Sequence, residues 1–195
     1  MYINFETIFI LLVCYLIGSI PFGLLLSKLF NKNDPRLVGS KNIGATNIVR
    51  ASGWKLGLLT LIFDMLKGFI PVVFLKDYFI EQSLIILFIF VGHLFPVWIR
   101  FKGGKGISVI IGCLFGYKLL YGLIFSFVWF ATAVVSKYSS LSALVASLSI
   151  LIIIYLENDN LFSILLFIVT MIFLKHIPNI KRLVKGNELK INLKK

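Results

Sequence analysis

Between residues 7 and 175 the chain is a succession of apolar stretches, each close to the thickness of a bilayer and separated by short polar segments. They fall at 7–30, 56–75, 84–100, 105–117, 119–136, 140–156 and 160–175. A helix needs about 20 predominantly apolar residues to cross the hydrocarbon core, and fewer when neighbours shield it. One soluble core of this size could not hide so much Leu, Ile and Phe. Hydrophobic residues make up 59% of the 195 and charged residues 14%, against about 45–50% and about a quarter in ordinary soluble domains. The sequence therefore predicts an all-α, polytopic transmembrane protein, with 1–195 a single integral membrane domain. The fourth stretch gives only about 20 Å of helix at 1.5 Å per residue. Seven spans and a five-span variant with a re-entrant segment both fit. The first stretch is too long for a signal peptide, has Glu6 rather than a basic leader, and precedes no small-residue cleavage site, so it is expected to be a retained span.

Charge selects the orientation. Lys and Arg total 20 against 8 Asp and Glu. Lys28, Lys32, Arg36, Lys41, Arg50 and Lys55 lie between the first two spans, and Arg100, Lys102 and Lys105 follow the third. The tail carries Lys175, Lys181, Arg182, Lys185, Lys190, Lys194 and Lys195. With seven spans, the N-terminus outside and the C-terminus cytoplasmic, every basic residue except Lys67, Lys76 and Lys118 falls on the cytoplasmic side, as the positive-inside bias requires. The segments 31–55, 100–106 and 176–195 then share one face. Such an excess fits cytoplasmic loops, anionic lipid or an anionic substrate. Nucleic acid is the weakest partner, because no long polar basic arm exists to bind it. Cys14 and Cys113 lie in apolar runs and behave as small hydrophobes, giving neither a disulfide framework nor a metal cluster.

Three segments carry candidate chemistry. Gly39-Ser40-Lys41-Asn42-Ile43-Gly44-Ala45-Thr46-Asn47-Ile48-Val49-Arg50 is dense in small donors. Tight turns at its glycines can aim backbone N–H groups at an anion, and Arg50 can grip a phosphate bidentately. The same residues also suit an ordinary polar loop with Thr46 or Asn47 capping the next helix. The second segment is Gly92-His93-Leu94-Phe95-Pro96, then Phe101-Lys102-Gly103-Gly104-Lys105-Gly106 opening a helix at Ile107. It suits a phosphate at a helix N-terminus, or a flexible turn whose lysines obey the charge bias. It is not a Walker A motif, because Ile99 and Gly106 occupy key positions. The third runs from Lys175 to Glu188, with His176 and Asn179 three apart and Pro178 expected to disturb the helix. Asp64 and Lys67, three apart inside an apolar span, either pair with each other or support the basic loop. His-x4-Asp and Gly-x-Ser-x-Gly patterns are absent, as is any loop with paired carboxylates. These residues leave open an enzyme for anionic substrates, a transporter for a phosphorylated solute and a lipid-binding scaffold.

In order along the chain, Gly18-Ser19-Ile20-Pro21-Phe22-Gly23, the 39–50 loop, Asp64-x-x-Lys67-Gly68, Gly92-His93-x-Phe95-Pro96 with the glycine–lysine loop, and His176-x-x-Asn179-Ile180-x-Arg182-Leu183-x-x-Gly186-x-Glu188 form a set. On these motifs the chain resembles the bacterial acyl-phosphate:glycerol-3-phosphate acyltransferase family, nearly end to end. The resemblance implies a multi-pass enzyme of the bacterial cell (inner) membrane whose active site faces the cytoplasm. It implies transfer of a fatty acyl group from acyl phosphate to glycerol 3-phosphate, giving lysophosphatidic acid, with no cofactor and no metal. It implies catalytic roles for Ser40, Arg50, Lys105 and His176. Substrate-binding roles fall to Asn42, Gly44, Thr46, Asn47, His93, Lys102, Gly103, Gly104 and Asn179. Ser140 is implied as a further polar contact and Glu188 as a structural residue. The lipid bilayer is a partner, and neither the sequence nor the resemblance sets an oligomeric state.

Overall fold

The structure is a computed structural model that describes residues 4–191; Lys194 and Lys195 of the expected basic tail lie outside the described residues. Nine helices occur among these residues: α1 (Phe5–Gly18), α2 (Phe22–Leu29), α3 (Ala45–Ser52), α4 (Trp54–Phe74), α5 (Gln82–Leu94), α6 (Ile107–Tyr117), α7 (Leu119–Ser136), α8 (Ser139–Leu156) and α9 (Phe162–Val184). A 3-10 turn, Val97–Ile99, follows α5. There is no strand among the described residues. Five segments are long and apolar enough to cross a bilayer, namely α4, Gln82–Ile99, α7, α8 and α9; α1 with α2 makes a sixth if counted as one. At 11 residues, α6 reaches only about 16 Å.

The expected first span is broken within its length. Ser19 and Ile20 leave the helix ahead of Pro21, which has no N–H to continue the ladder, and α1 and α2 meet at 45°. The break exposes a backbone carbonyl, and Lys67 Nζ donates to that Ile20 oxygen at 2.7 Å. The same ammonium pairs with Asp64 at 2.7 Å, both side chains being almost fully buried. Asp64 and Lys67 are thus each other's partners, and the pair also secures the bend. In α9, by contrast, Pro178 does not end the helix. It runs unbroken to Val184, well past the expected boundary at 175, and puts His176 and Asn179 one turn apart, both buried.

Close approach of helices positions the short α6. Without hydrophobic driving force between spans in lipid, small residues set how near backbones come. Gly68 of α4 lies against the Val109 backbone, and Gly112 of α6 against the Met65 backbone; a methyl group at either would strike main chain. Gly18 and Gly92 do the same between α1 and α5. Ile85, Ile89, Phe90, Val109, Ile110, Leu114, Ile150 and Ile168 fill the centre. Outward side chains such as Phe127 and Val135 are apolar and exposed, as a lipid-facing surface requires. At the end away from the polar loops, Tyr121 donates to Glu157 (2.7 Å) and Asp159 (2.9 Å), and Tyr117 to Asp159 (2.6 Å). This clasp ties the α6–α7 corner to the α8–α9 turn.

Candidate active site

Asn47 organises the first polar loop. It sits within α3, buried, and its Oδ1 accepts from the Ser40 N–H at 2.9 Å. Its Nδ2 donates to the carbonyls of Pro35, Val38 and Asn42, at 2.8, 3.1 and 2.8 Å. Neither Asn47 nor Thr46 caps a helix, because α3 starts one residue after Gly44 and α4 one residue after Gly53. Thr46 instead shares a 3.0 Å hydrogen bond with Ser139 at the start of α8. Asn47 therefore shapes the loop from beneath, and Thr46 ties it to the far wall of a cavity.

That cavity, of about 610 Å³, lies where α4, α6, α8, α9 and the tail converge. Ser40, Asn42, Gly44, Thr46, Asn47, Arg50, His93, Lys105, Ser140, His176 and Asn179 all line it. Three other expected residues do not. Lys102 is exposed away from it. Gly103 and Gly104 spend their N–H groups on the carbonyls of Leu94 and His93, at 3.2 Å each, so they splice the loop to the end of α5. Gly104 also rests against the His93 imidazole, leaving no room for a side chain. Their work is to place Lys105. Gly106 (φ 87°) adopts the left-handed conformation that starts α6. Ile107 and Ser108, at the first turn of α6, also line the cavity, and first-turn N–H groups lack intrahelical partners.

The polar wall is wired through Glu188. Its Oε1 accepts from Ser140 Oγ (2.8 Å) and Asn179 Nδ2 (2.6 Å), and its Oε2 pairs with Arg182 Nε (2.7 Å). Burial pushes this carboxyl up, but hydrogen bonds from Asn179, Ser140 and Arg182 prevail and hold it below the usual carboxylate range. Lys105 Nζ donates to Asn179 Oδ1. Burial lowers the Lys105 ammonium to about 8, opposed by Glu188 and assisted by Arg182 and Arg50. Arg50 Nη2 donates to the carbonyls of Leu189 and Lys190, at 3.1 and 3.4 Å. His176 Nδ1 bonds the Ile172 carbonyl at 2.8 Å, which assigns the proton of the neutral ring to Nδ1 and leaves Nε2 an acceptor. Lower down, His93 Nδ1 stands 4.0 Å from Asp64.

The other end of the cavity is apolar. Leu58 and Leu61 of α4 face Trp129 and Phe130 of α7, with Met65 and Ile111 beneath. Trp54 and Phe130 are more than half exposed at the rim, so the slot opens sideways between α4 and α7. Sequence reasoning missed this half, along with Ser108 and Ser139. Nothing distinguishes Trp129 or Leu61 from any other lipid-facing residue until α4 and α7 are seen to stand apart.

A helical membrane protein whose cavity joins a cation-rich polar head to a lipid-open apolar slot is built to handle an amphiphile with an anionic group. Comparison with known proteins gives the family. Residues 8–186 match the family described as glycerol-3-phosphate acyltransferase. The glycerol-3-phosphate acyltransferase of Pelagibacter ubique is 44% identical over 194 residues, covering 96% of this chain and 99% of that one. That of Brucella anthropi is 46% identical over 182 residues, covering 92% and 90%. Two crystal structures of PlsY, an integral membrane glycerol 3-phosphate acyltransferase, superpose closely. Its glycerol 3-phosphate form gives a TM-score of 0.91 at 34% identity, and its lysophosphatidic acid form 0.88 at 32%, each covering 96% of both chains. The chain belongs to the glycerol-3-phosphate acyltransferase family and is an acyltransferase.

Proposed function

We propose that the protein transfers a fatty acyl group from an acyl phosphate to the 1-hydroxyl of sn-glycerol 3-phosphate. The products are 1-acyl-glycerol 3-phosphate (lysophosphatidic acid) and inorganic phosphate, the first step of phospholipid synthesis. The observation that carries this reading is the continuity of the cavity from Lys105 and Arg50 to the slot between α4 and α7. An acyl chain lies in that slot with its phosphate at the polar head, and the soluble acceptor enters from the loop side.

Both substrates are anions, and their repulsion must be offset before they can approach. Lys105, Arg50 and the first-turn N–H groups of α6 supply positive potential at one place, and the same groups stabilise charge growing on the departing phosphate. The acceptor oxygen attacks the acyl carbon, the C–O bond to phosphate breaks, and the hydroxyl proton passes to a phosphate oxygen of the acceptor itself. His176, with Nε2 available, orients that acceptor. The donor is a mixed anhydride with a good leaving group, so no acyl-enzyme is needed, and holding hydroxyl and carbonyl in near-attack geometry supplies much of the acceleration. The Ser40 hydroxyl holds the acceptor phosphate in this reading, which is supported by its place in the cavity lining and by the anchoring of its backbone N–H on Asn47.

Seven crossings with the N-terminus outside put every site residue on the cytoplasmic face of a bacterial inner membrane. The paired α1–α2, the short α6 and the five long segments supply the crossings. The positive-inside bias supports this, and so does the fact that all three polar segments meet at one end of the bundle. The test is phosphate release by the detergent-purified protein from a long-chain acyl phosphate, with and without glycerol 3-phosphate. Acceptor-dependent release with stoichiometric lysophosphatidic acid is the expected result. Release that ignores the acceptor, or none from folded protein, overturns the assignment.

A further inference from the structure

A second cavity, of about 680 Å³, shares no lining residue with the first. It lies between α2, the segment after it and the 3-10 turn that follows α5. Lys28, Lys32, Arg36 and Asp34 are its charged residues, three cations to one carboxylate, and Leu24, Leu25 and Trp98 form much of its apolar wall. A helix cap sets the backbone that carries the two lysines. Asn31 is left-handed (φ 51°), the Asn31 N–H returns to the Lys28 carbonyl, and the Lys32 N–H to the Ser27 carbonyl at 2.8 Å. This is the closure of a Schellman motif, which satisfies the last carbonyls of α2 and reverses the chain so that Lys28 and Lys32 line the same cavity. Arg36 is already paired with Asp34 at 2.6 Å, whereas both lysines are exposed and have no acidic partner among the described residues. Ser27 also lines the cavity, and its buried hydroxyl has no hydrogen-bond partner among the described residues.

We propose that this cavity binds the phosphate of an anionic phospholipid from the surrounding leaflet, with Lys28 and Lys32 on the headgroup and the acyl chains along Leu24, Leu25 and Trp98. Three features favour a lipid over a soluble anion. The apolar wall is continuous with the outward surface of α2, Trp98 is 60% exposed beside the cations, and tryptophan next to basic residues suits the headgroup level of a bilayer. The site also touches the reaction. Pro35 lines this cavity, and its carbonyl is one of those held by Asn47, which fixes the Ser40 loop on the other side. An occupant therefore sits behind the loop that carries Ser40, outside the active site.

Native mass spectrometry of the full-length protein in detergent tests this, with dioctanoyl phosphatidylglycerol as probe and saturating glycerol 3-phosphate present. One tightly held phosphatidylglycerol is expected, with dioctanoyl phosphatidylcholine weaker. The double variant Lys28→Gln/Lys32→Gln should lose about thirtyfold in that affinity, given the usual contribution of each basic residue near an anionic lipid. The matched pair Lys181→Gln/Lys185→Gln, exposed at the C-terminal end of α9, should lose none. Leu24→Trp, which fills the apolar wall and keeps both lysines, should lose the lipid too. Equal losses in the two double variants, or none in the first, overturn the proposal by showing diffuse attraction. Displacement of the lipid by inorganic phosphate at equal affinity overturns it by making the ligand a soluble anion.

Discussion

Lys105 offers a titration that reads the active site directly. Burial lowers its ammonium to about 8 in the unliganded protein. A group with that midpoint is about 90% charged at pH 7 and about 10% charged at pH 9. If the charged form alone captures glycerol 3-phosphate, kcat/KM for the acceptor falls about tenfold between those values, or about 1.4 kcal/mol of transition-state binding. The sign is set by the cation: activity is present below the midpoint and lost above it. The substrate does not contribute to the fall, because a phosphate monoester has its second pKa at about 6 and is already about 90% dianion at pH 7, gaining charge above it. In the bound complex that dianion holds the proton on Lys105, so kcat stays flat to higher pH while kcat/KM drops. Steady-state phosphate release at several acceptor concentrations from pH 6.5 to 9.5, corrected for spontaneous acyl phosphate hydrolysis, gives both profiles. Lys105→Arg, whose charge survives, should show no loss near pH 8 in whatever activity it keeps. A wild-type kcat/KM that is flat to pH 9.5, or an unshifted inflection in the Arg variant, refutes the argument.

Other perturbations follow from contacts described above. Glu188→Gln removes the carboxylate that Ser140, Asn179 and Arg182 share; hydrogen bonds to a charged group contribute about 1.5–3 kcal/mol, so melting should come earlier and kcat/KM should fall by more than tenfold. Asn47→Ala leaves the carbonyls of Pro35, Val38 and Asn42 and the Ser40 N–H without their partner, at about 1–3 kcal/mol for each buried group that water cannot reach; faster proteolysis at 31–44 and a raised KM for glycerol 3-phosphate check it. Gly112→Ala drives a methyl into the Met65 backbone, and overpacking of about 1–3 kcal/mol should lower the melting temperature with little change in KM. Ala143→Phe, in the cavity wall, should shift preference toward shorter acyl phosphates, seen as a changed ratio of kcat/KM between long and medium chains.

Much of this organisation was legible in the sequence because apolar length and charge placement are one-dimensional signals. The long spans sit where the hydropathy puts them, and the three polar segments do converge. Less legible were features whose partners are distant or are main chain. Asn47 looks like a cap or a ligand because its real acceptors are backbone carbonyls at 35, 38 and 42, which have no sequence signature. Gly103 and Gly104 look like a phosphate cradle, yet their N–H groups close onto α5. The break at Ser19–Pro21 hides inside an apolar run, and Pro178 suggests an end where α9 has none. The apolar half of the cavity arises from a missing contact between two helices, which no residue announces.

The lysine inside the membrane has an evolutionary corollary. Lys67 meets both the Asp64 carboxylate and the carbonyl freed where α1 gives way to α2. A charge in lipid and an interrupted helix are each liabilities, and here each is the other's remedy. Neither can be repaired by one step: a methionine at 67 strands an acid and a carbonyl, and a straightened first span strands an ammonium. Loss of the trio therefore requires concerted replacement at 64, 67 and the 19–21 break, so the three positions should be inherited, and exchanged, as a block.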